Sequence, residues 1–296
     1  MLLRYRRCLS LLYLEDAEMD NNFIYSEHNG EFVDVQGVNI RFDAMGDGDP
    51  VLFIHGVGQT AYTWRKNLPV FAQQFLTIAP DMVGYGFSDK PELTYSVEEN
   101  SEFILALLNA LRIKQTHIVA CGSGAVYALD FMIHYPERVG RGVMIAPGGL
   151  TKAFPYWVRM LGGPLANPAS MMFGRKAVAE TLSACFFDQT VIKEEDIETT
   201  FAALDSKIAK DALIRSIQNF NEEEVLSRLK TLQHDTLFVW GEDDKVRPPR
   251  EFARNYIGIP PRAQEMLVRN TGHLVHEEKP EKFNAAAMDF LMSYGE

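Results

Sequence analysis

Cysteine is scarce in this chain of 296 residues: Cys8, Cys121 and Cys185 are widely spaced and form no CxxC pair. Such a set excludes a disulfide framework and a structural zinc site, and it implies a reduced, cytoplasmic setting. Positive charge is also short, with 29 basic against 40 acidic side chains and a net charge of -11. Beyond residue 7 no basic cluster offsets this, so nucleic acid is not an expected partner. The apolar stretch from Leu9 to Leu14 is too short to span a membrane, and no small-residue cleavage site follows it before Glu15 and Asp16. Residues 1–30 therefore read as a flexible leader, with Met19 as an alternative start, and membrane insertion is not expected. Gly84 and Gly86 lack the third glycine of a dinucleotide fingerprint, and no phosphate loop is visible. His28, His117, His134 and His234 share no metal-ligand spacing and read as surface or boundary residues. Neither metal nor cofactor is expected.

Hydrophobic residues make up 47% of the chain and aromatics 11%, ample for one large core. From Glu31 the alternation FVDVQGVNIRFDAMG predicts a hairpin turning at Gln36-Gly37. Continuous apolar runs at 51–55, 75–81, 116–121 and 142–147 read as parallel strands buried on both faces. Helical segments, Val97 to Leu111 and Ala125 to Tyr135, separate some of these runs, which is the pattern of a doubly wound α/β sheet. After Pro147 about eighty residues read as helices with bulky apolar faces, and strands resume only at 236–241 and 263–270. The expected architecture is a mostly parallel core, residues 31–147 and 230–296, with a helical lid at 148–229 over the carboxyl edge of the sheet. Lid residues Phe154, Tyr156, Trp157, Met160, Met171, Met172, Phe173, Phe186 and Phe187 are candidates for an apolar chamber, with about half expected to pack lid on core instead. That composition suits a small to medium apolar substrate, with the protein a monomer or homodimer.

Four motifs sit at predicted strand and helix ends. They are His55-Gly56-Val57-Gly58, the run Asp81 to Ser88, Tyr135-Pro136-Glu137-Arg138-Val139, and Gly241-Glu242-Asp243-Asp244 with Asn270-Thr271-Gly272-His273. Together they resemble the α/β-hydrolase superfamily from residue 31 onward, in its chain order of nucleophile, acid and histidine. The resemblance implies His273 as general base, oriented by Asp244, with Asp243 as the competing acid. It also implies backbone amides of Val57 and Ser123 as oxyanion donors beside Gly56. His55 reads as a structural turn residue, and His276 as a solvated residue at a helix start.

One motif departs from the superfamily pattern. Where G-x-S-x-G is expected the chain reads Ala120-Cys121-Gly122-Ser123-Gly124-Ala125. The flanking strand His117-Ile118-Val119 and the downstream Tyr135-Pro136-Glu137-Arg138 put Gly122 at the nucleophile position. The rival frame centres the elbow on Ser123, with Cys121 and Ala125 in place of the two glycines. Cys121 is expected to leave the backbone on another side and to behave as a small hydrophobe. The lid boundary is similar to that of meta-cleavage-product C–C hydrolases, at Ala146 to Leu150 and Cys185 to Gln189. That resemblance places Cys121, Trp157, Phe186 and Leu274 near substrate. It puts Thr200 where a carboxylate-binding arginine would stand, and Leu274 where tryptophan is expected. Three functions remain open: an enzyme using the His–Asp dyad without a covalent intermediate, a serine hydrolase using Ser123, and a non-catalytic binding or scaffold protein.

Overall fold

A computed structural model describes residues 25–293. Eight strands form a single sheet: β1 (Glu31–Val35), β2 (Val38–Met45), β3 (Asp49–Ile54), β4 (Phe75–Pro80), β5 (Thr116–Cys121), β6 (Val139–Ile145), β7 (Thr236–Gly241) and β8 (Ala263–Val268). Their order is β1-β2-β4-β3-β5-β6-β7-β8. β2 pairs antiparallel with β1 and β4, and the remaining pairs are parallel. The hairpin turns where the alternation predicts it: Val35 faces Val38, and both Gln36 and Gly37 take positive φ, as a two-residue turn between twisted strands demands.

In chain order the helices are α1 (Leu68–Phe71), α2 (Val97–Ala110), α3 (Gly122–His134), α4 (Tyr156–Leu161), α5 (Ala166–Met171), α6 (Arg175–Cys185), α7 (Glu194–Leu204), α8 (Lys207–Gln218), α9 (Glu223–Arg228), α10 (Pro249–Phe252), α11 (Val275–Glu278) and α12 (Pro280–Met292). The central strands β5 and β7 are buried along their whole length, which explains their unbroken apolar runs. α3 begins at Gly122, three residues before the sequence pattern suggests, because the chain turns directly from β5 into the helix. Helices α4 to α9 occupy the stretch between β6 and β7.

Strand order places the site. From β3 the chain moves to β4 on one side and then crosses to β5 on the other, so the loops leaving β3 and β5 diverge. Such a switch point opens a crevice at the carboxyl ends of the strands. Here those ends lead into His55–Gly58 and Cys121–Gly124.

The leader expected over residues 1–30 is largely outside the described residues, as is Cys8. Its last part is packed. The Tyr25 hydroxyl donates to Asp81 at 2.8 Å, and the Tyr25 ring meets those of Tyr62 and Phe87.

Candidate active site

At the end of β5 the backbone is extended at Cys121 and then swings to φ +54 at Gly122, the first residue of α3. A positive φ directly between strand and helix is the strained elbow of a strand-turn-helix motif, and glycine adopts it without cost. Two residues on, Gly124 lies against β3 so closely that a Cβ there would fall 2.3 Å from the carbonyl oxygen of His55. The close approach thus falls at Gly124 and the positive φ at Gly122.

A Cβ built on Gly122 would lie 3.8 Å from His273 Nε2 and 4.0 Å from the Cα of Gly56, in ordinary van der Waals contact with both. His273 follows β8 and is buried. Its Nδ1 pairs with Asp244 Oδ2 at 2.8 Å. The other carboxylate oxygen, Oδ1, accepts the backbone N–H groups of Val246 (2.9 Å) and Arg247 (2.8 Å). Burial works to raise the Asp244 pKa, but the facing imidazole and these three hydrogen bonds outweigh it and hold the carboxyl below its ordinary value. Asp243, the competing acid, is half-exposed and is not the residue bonded to His273. A carboxylate anchored on two amides and one imidazole nitrogen fixes the tautomer that leaves Nε2 facing Gly122.

Opposite this pair, the Val57 N–H donates to Ser123 Oγ at 2.7 Å. The Ser123 hydroxyl is therefore engaged with the very amide that the sequence suggests as an oxyanion donor. His55, fully buried, bonds the Gly56 carbonyl through Nδ1 and accepts the Met82 N–H at Nε2, which fixes the loop carrying Gly56 and Val57.

These groups open onto a cavity of about 270 Å³. Gly56, Val57, Gly122, Ser123, Trp157, Phe186, His273 and Leu274 line it, as do Phe154, Phe173 and Thr200. Cys121 does not belong to the wall. Its thiol is directed at Gln59 Oε1, 3.3 Å away, because consecutive residues at the end of β5 point to opposite faces, and burial pushes its pKa up. Tyr156, Met171, Met172 and Phe187, candidates for the chamber by their size, are exposed on the outside instead.

Sequence reading missed the polar end of the cavity. Tyr62, Thr63, Asp196 and Glu277 line it. Behind them Arg65 bridges Asp196 at 2.7 Å and Glu277 at 2.5 Å. Tyr62 donates to Asp196 at 2.9 Å, and Thr63 donates to Glu277 at 2.5 Å. His276, expected to be solvated, is fully buried: its Nε2 meets Thr63 Oγ1 at 2.8 Å and its ring stacks near Trp64. His117 is buried as well, its Nδ1 accepting the Arg141 N–H. In both cases the partner lies too far along the chain to be read locally.

The helices between β6 and β7 are bonded to the histidine loop. The Cys185 carbonyl accepts the His273 N–H at 2.7 Å. The buried Glu278 carboxylate accepts the N–H groups of Phe187, Asp188 and Gly272 at 3.2, 2.8 and 2.8 Å.

The chain is similar in sequence and fold to known hydrolases. The chain is 28% identical over 269 residues to a 2-hydroxy-6-oxo-6-phenylhexa-2,4-dienoate hydrolase of Comamonas testosteroni, covering 87% of this chain and 93% of the relative. It is 28% identical over 275 residues to a 2-hydroxy-6-oxo-2,4-heptadienoate hydrolase of Pseudomonas putida, covering 88% and 96%. The solved meta-cleavage product hydrolase of Pseudomonas fluorescens, complexed with acetates, superposes with a TM-score of 0.78 at 25% identity over 90% of this chain and 99% of that one. The model of the α/β hydrolase fold family matches residues 49–280, most of the chain, and the chain belongs to that family.

Proposed function

We propose that this hydrolase-like enzyme works without a covalent intermediate. His273, oriented by Asp244, acts as general base on a water molecule or on the substrate itself, and backbone amides at Val57 and Ser123 stabilise the developing oxyanion. The observation that carries this reading is the open space at Gly122. A nucleophile's side chain would stand there, 3.8 Å from His273 Nε2 at its Cβ, and the chain supplies none. Space of that size beside an oriented imidazole suits a water molecule or a substrate carbon bearing an acidic proton. The outcome is hydrolysis of an activated neutral ester, lactone or vinylogous ketone, or a lyase or isomerase reaction through an enolate.

The substrates named for the relatives are dienoic acids. Their carboxylate is not carried over to this chain. No lysine or arginine lines the cavity, Thr200 stands where the binding arginine would be, and the charged groups in the wall are Asp196 and Glu277. Both are already held by Arg65, so a substrate carboxylate would be desolvated with no cation in the wall to pair it, and a neutral, largely apolar small molecule fits. Ser123 suits a supporting role better than that of nucleophile: its hydroxyl accepts from Val57 N–H and must turn aside when an oxyanion takes that donor.

Two measurements test this. On a panel of neutral lactones, enol esters and diketones, His273→Ala and Asp244→Asn are expected to lose any turnover shown by the unsubstituted chain. Unchanged turnover in His273→Ala would sink the reading. In parallel, a fluorophosphonate should leave the unsubstituted protein unlabelled and should label Gly122→Ser, which should also gain aryl-ester hydrolysis. A covalent adduct on Ser123 of the unsubstituted protein would establish the shifted-elbow hydrolase in its place. No turnover on the panel together with tight ligand binding would favour a binding protein.

A further inference from the structure

The roof of the cavity has an outer surface unlike the rest of the molecule. In a chain of net charge -11, residues 150–179 carry Lys152, Arg159, Arg175 and Lys176 and not one aspartate or glutamate. The same stretch holds the three most exposed large apolar side chains among the described residues, Met172 at 87%, Met171 at 84% and Tyr156 at 69%, together with Leu165 at 57%.

α4 and α5 pack on each other and both rest on α8, so what they expose faces away from α8. In α5 the buried residues are the small ones, Ala166, Ala169 and Ser170, whereas the bulky Met171, and Leu165 and Met172 at its ends, are outside. A surface helix in water normally shows the opposite distribution. Trp157, Val158 and Phe173 from the same stretch line the cavity, and the rings of Trp157 and Phe173 meet edge to face at 4.9 Å. One thin layer of chain therefore separates the apolar outer face from the apolar interior.

Charge decides what covers this face. Arg175 is held by Glu194 and Glu198 and Lys176 stands 4.0 Å from Glu180, but the Lys176 side chain is still 91% exposed, Lys152 is exposed, and the exposed Arg159 extends its guanidinium over the Tyr156 ring at 5.5 Å. Cations flanking exposed Met, Leu and Tyr match a bilayer with anionic headgroups: apolar side chains enter the acyl boundary while lysine and arginine stay at headgroup level. We propose that the outer face of α4, α5 and the start of α6 docks on an anionic lipid surface, so that a neutral apolar substrate passes between the membrane and the cavity beneath. No helix among the described residues is long and apolar enough to span a bilayer, so the contact is peripheral.

Co-sedimentation of the full chain with large unilamellar vesicles tests this. Vesicles of phosphatidylcholine with roughly one-third phosphatidylglycerol should bring the protein down, and pure phosphatidylcholine should not. Raising the salt to about 0.5 M should release most of it. Lys152→Glu with Lys176→Glu should weaken binding at least ten-fold, at about five-fold per cation lost. Met171→Asp with Met172→Asp should abolish it, with circular dichroism unchanged. Lys282→Glu, on α12, should behave like the unsubstituted chain. Absence of binding to the anionic vesicles, or equal binding to neutral ones, overturns the proposal. So does a dimer in sedimentation equilibrium that Met171→Asp with Met172→Asp dissociates, since that would make the face an interface between copies.

Discussion

The two walls of the cavity are built on different principles. The floor, at the carboxyl edge of the sheet, consists of backbone amides, an imidazole and a carboxylate, each held by named hydrogen bonds: Asp244 by three groups, His55 by two, Val57 through Ser123. The roof, from α4 to α6, consists of aromatic and aliphatic side chains on short helices joined by loops, fixed to the floor mainly at Cys185 and Glu278. Groups held by directional bonds can be placed finely enough for proton transfer, whereas apolar contacts tolerate changes of shape. The floor is thus suited to chemistry and the roof to selection.

Substitutions that strike one wall at a time would break or sharpen this contrast. The largest effect is expected from Asp244→Asn, which keeps the shape but presents the wrong partner to the imidazole and should lower kcat on the order of 10³- to 10⁴-fold. Trp157→Ala in the roof should instead act mainly on KM, by roughly ten-fold, since it removes contact area and no reacting group. Steady-state kinetics on a substrate from the neutral panel separates the two.

Next in size is Gly124→Ala, whose new Cβ would lie 2.3 Å from a backbone oxygen in β3. It should destabilise the fold by about 3 kcal/mol or more, measured by urea unfolding, because neither backbone can yield cheaply. Gly163→Ala in the roof meets only the Met160 carbonyl, at 3.6 Å, and should stay within about 0.5 kcal/mol of the unsubstituted chain.

At the junction of the walls, Glu278→Gln replaces an acceptor of three N–H groups by an amide that also brings donors. A loss of about 2 kcal/mol is expected, together with faster hydrogen exchange at Phe187 and Asp188. If exchange there is unchanged, the carboxylate does not hold roof to floor.

A last effect is one of pH. Burial lowers the pKa values of His55, His117 and His276, the last well below the ordinary range. Below about pH 6.5 the unfolded chain takes up protons at these positions that the folded chain refuses, so unfolding is favoured and stability falls as the pH drops. Each histidine contributes a slope of about 1.4 kcal/mol per pH unit between its folded and unfolded values. The Tm should therefore decline from pH 7 toward pH 5, and His276→Gln should flatten the decline. Asp244, depressed in the fold, adds a loss of the same sign at lower pH, beginning as the unfolded carboxyl protonates near pH 4.

The floor was legible in the sequence to a degree the roof was not, and the reason is physical. β5 and β7 are written in consecutive residues, and the hairpin at Gln36-Gly37 is set by its own two residues, so local pattern suffices. The pairing of His273 with Asp244 follows from adjacent strand ends. His276 gave no local sign of burial because Trp64 and Thr63, more than 200 positions away, enclose it. Met171 and Met172 look like core residues by composition, and only the packing of α5 on α8 turns them outward. The Arg65 bridge to Asp196 and Glu277 joins three distant segments, and no spacing rule connects them.

One bond gives the two walls a common fate. The main-chain N–H of His273 is donated to the carbonyl of Cys185, the last residue of α6. A displacement of α6 must therefore carry the histidine along or cost it that bond. Such a link makes the aim of the base on Gly122 depend on where α6 sits.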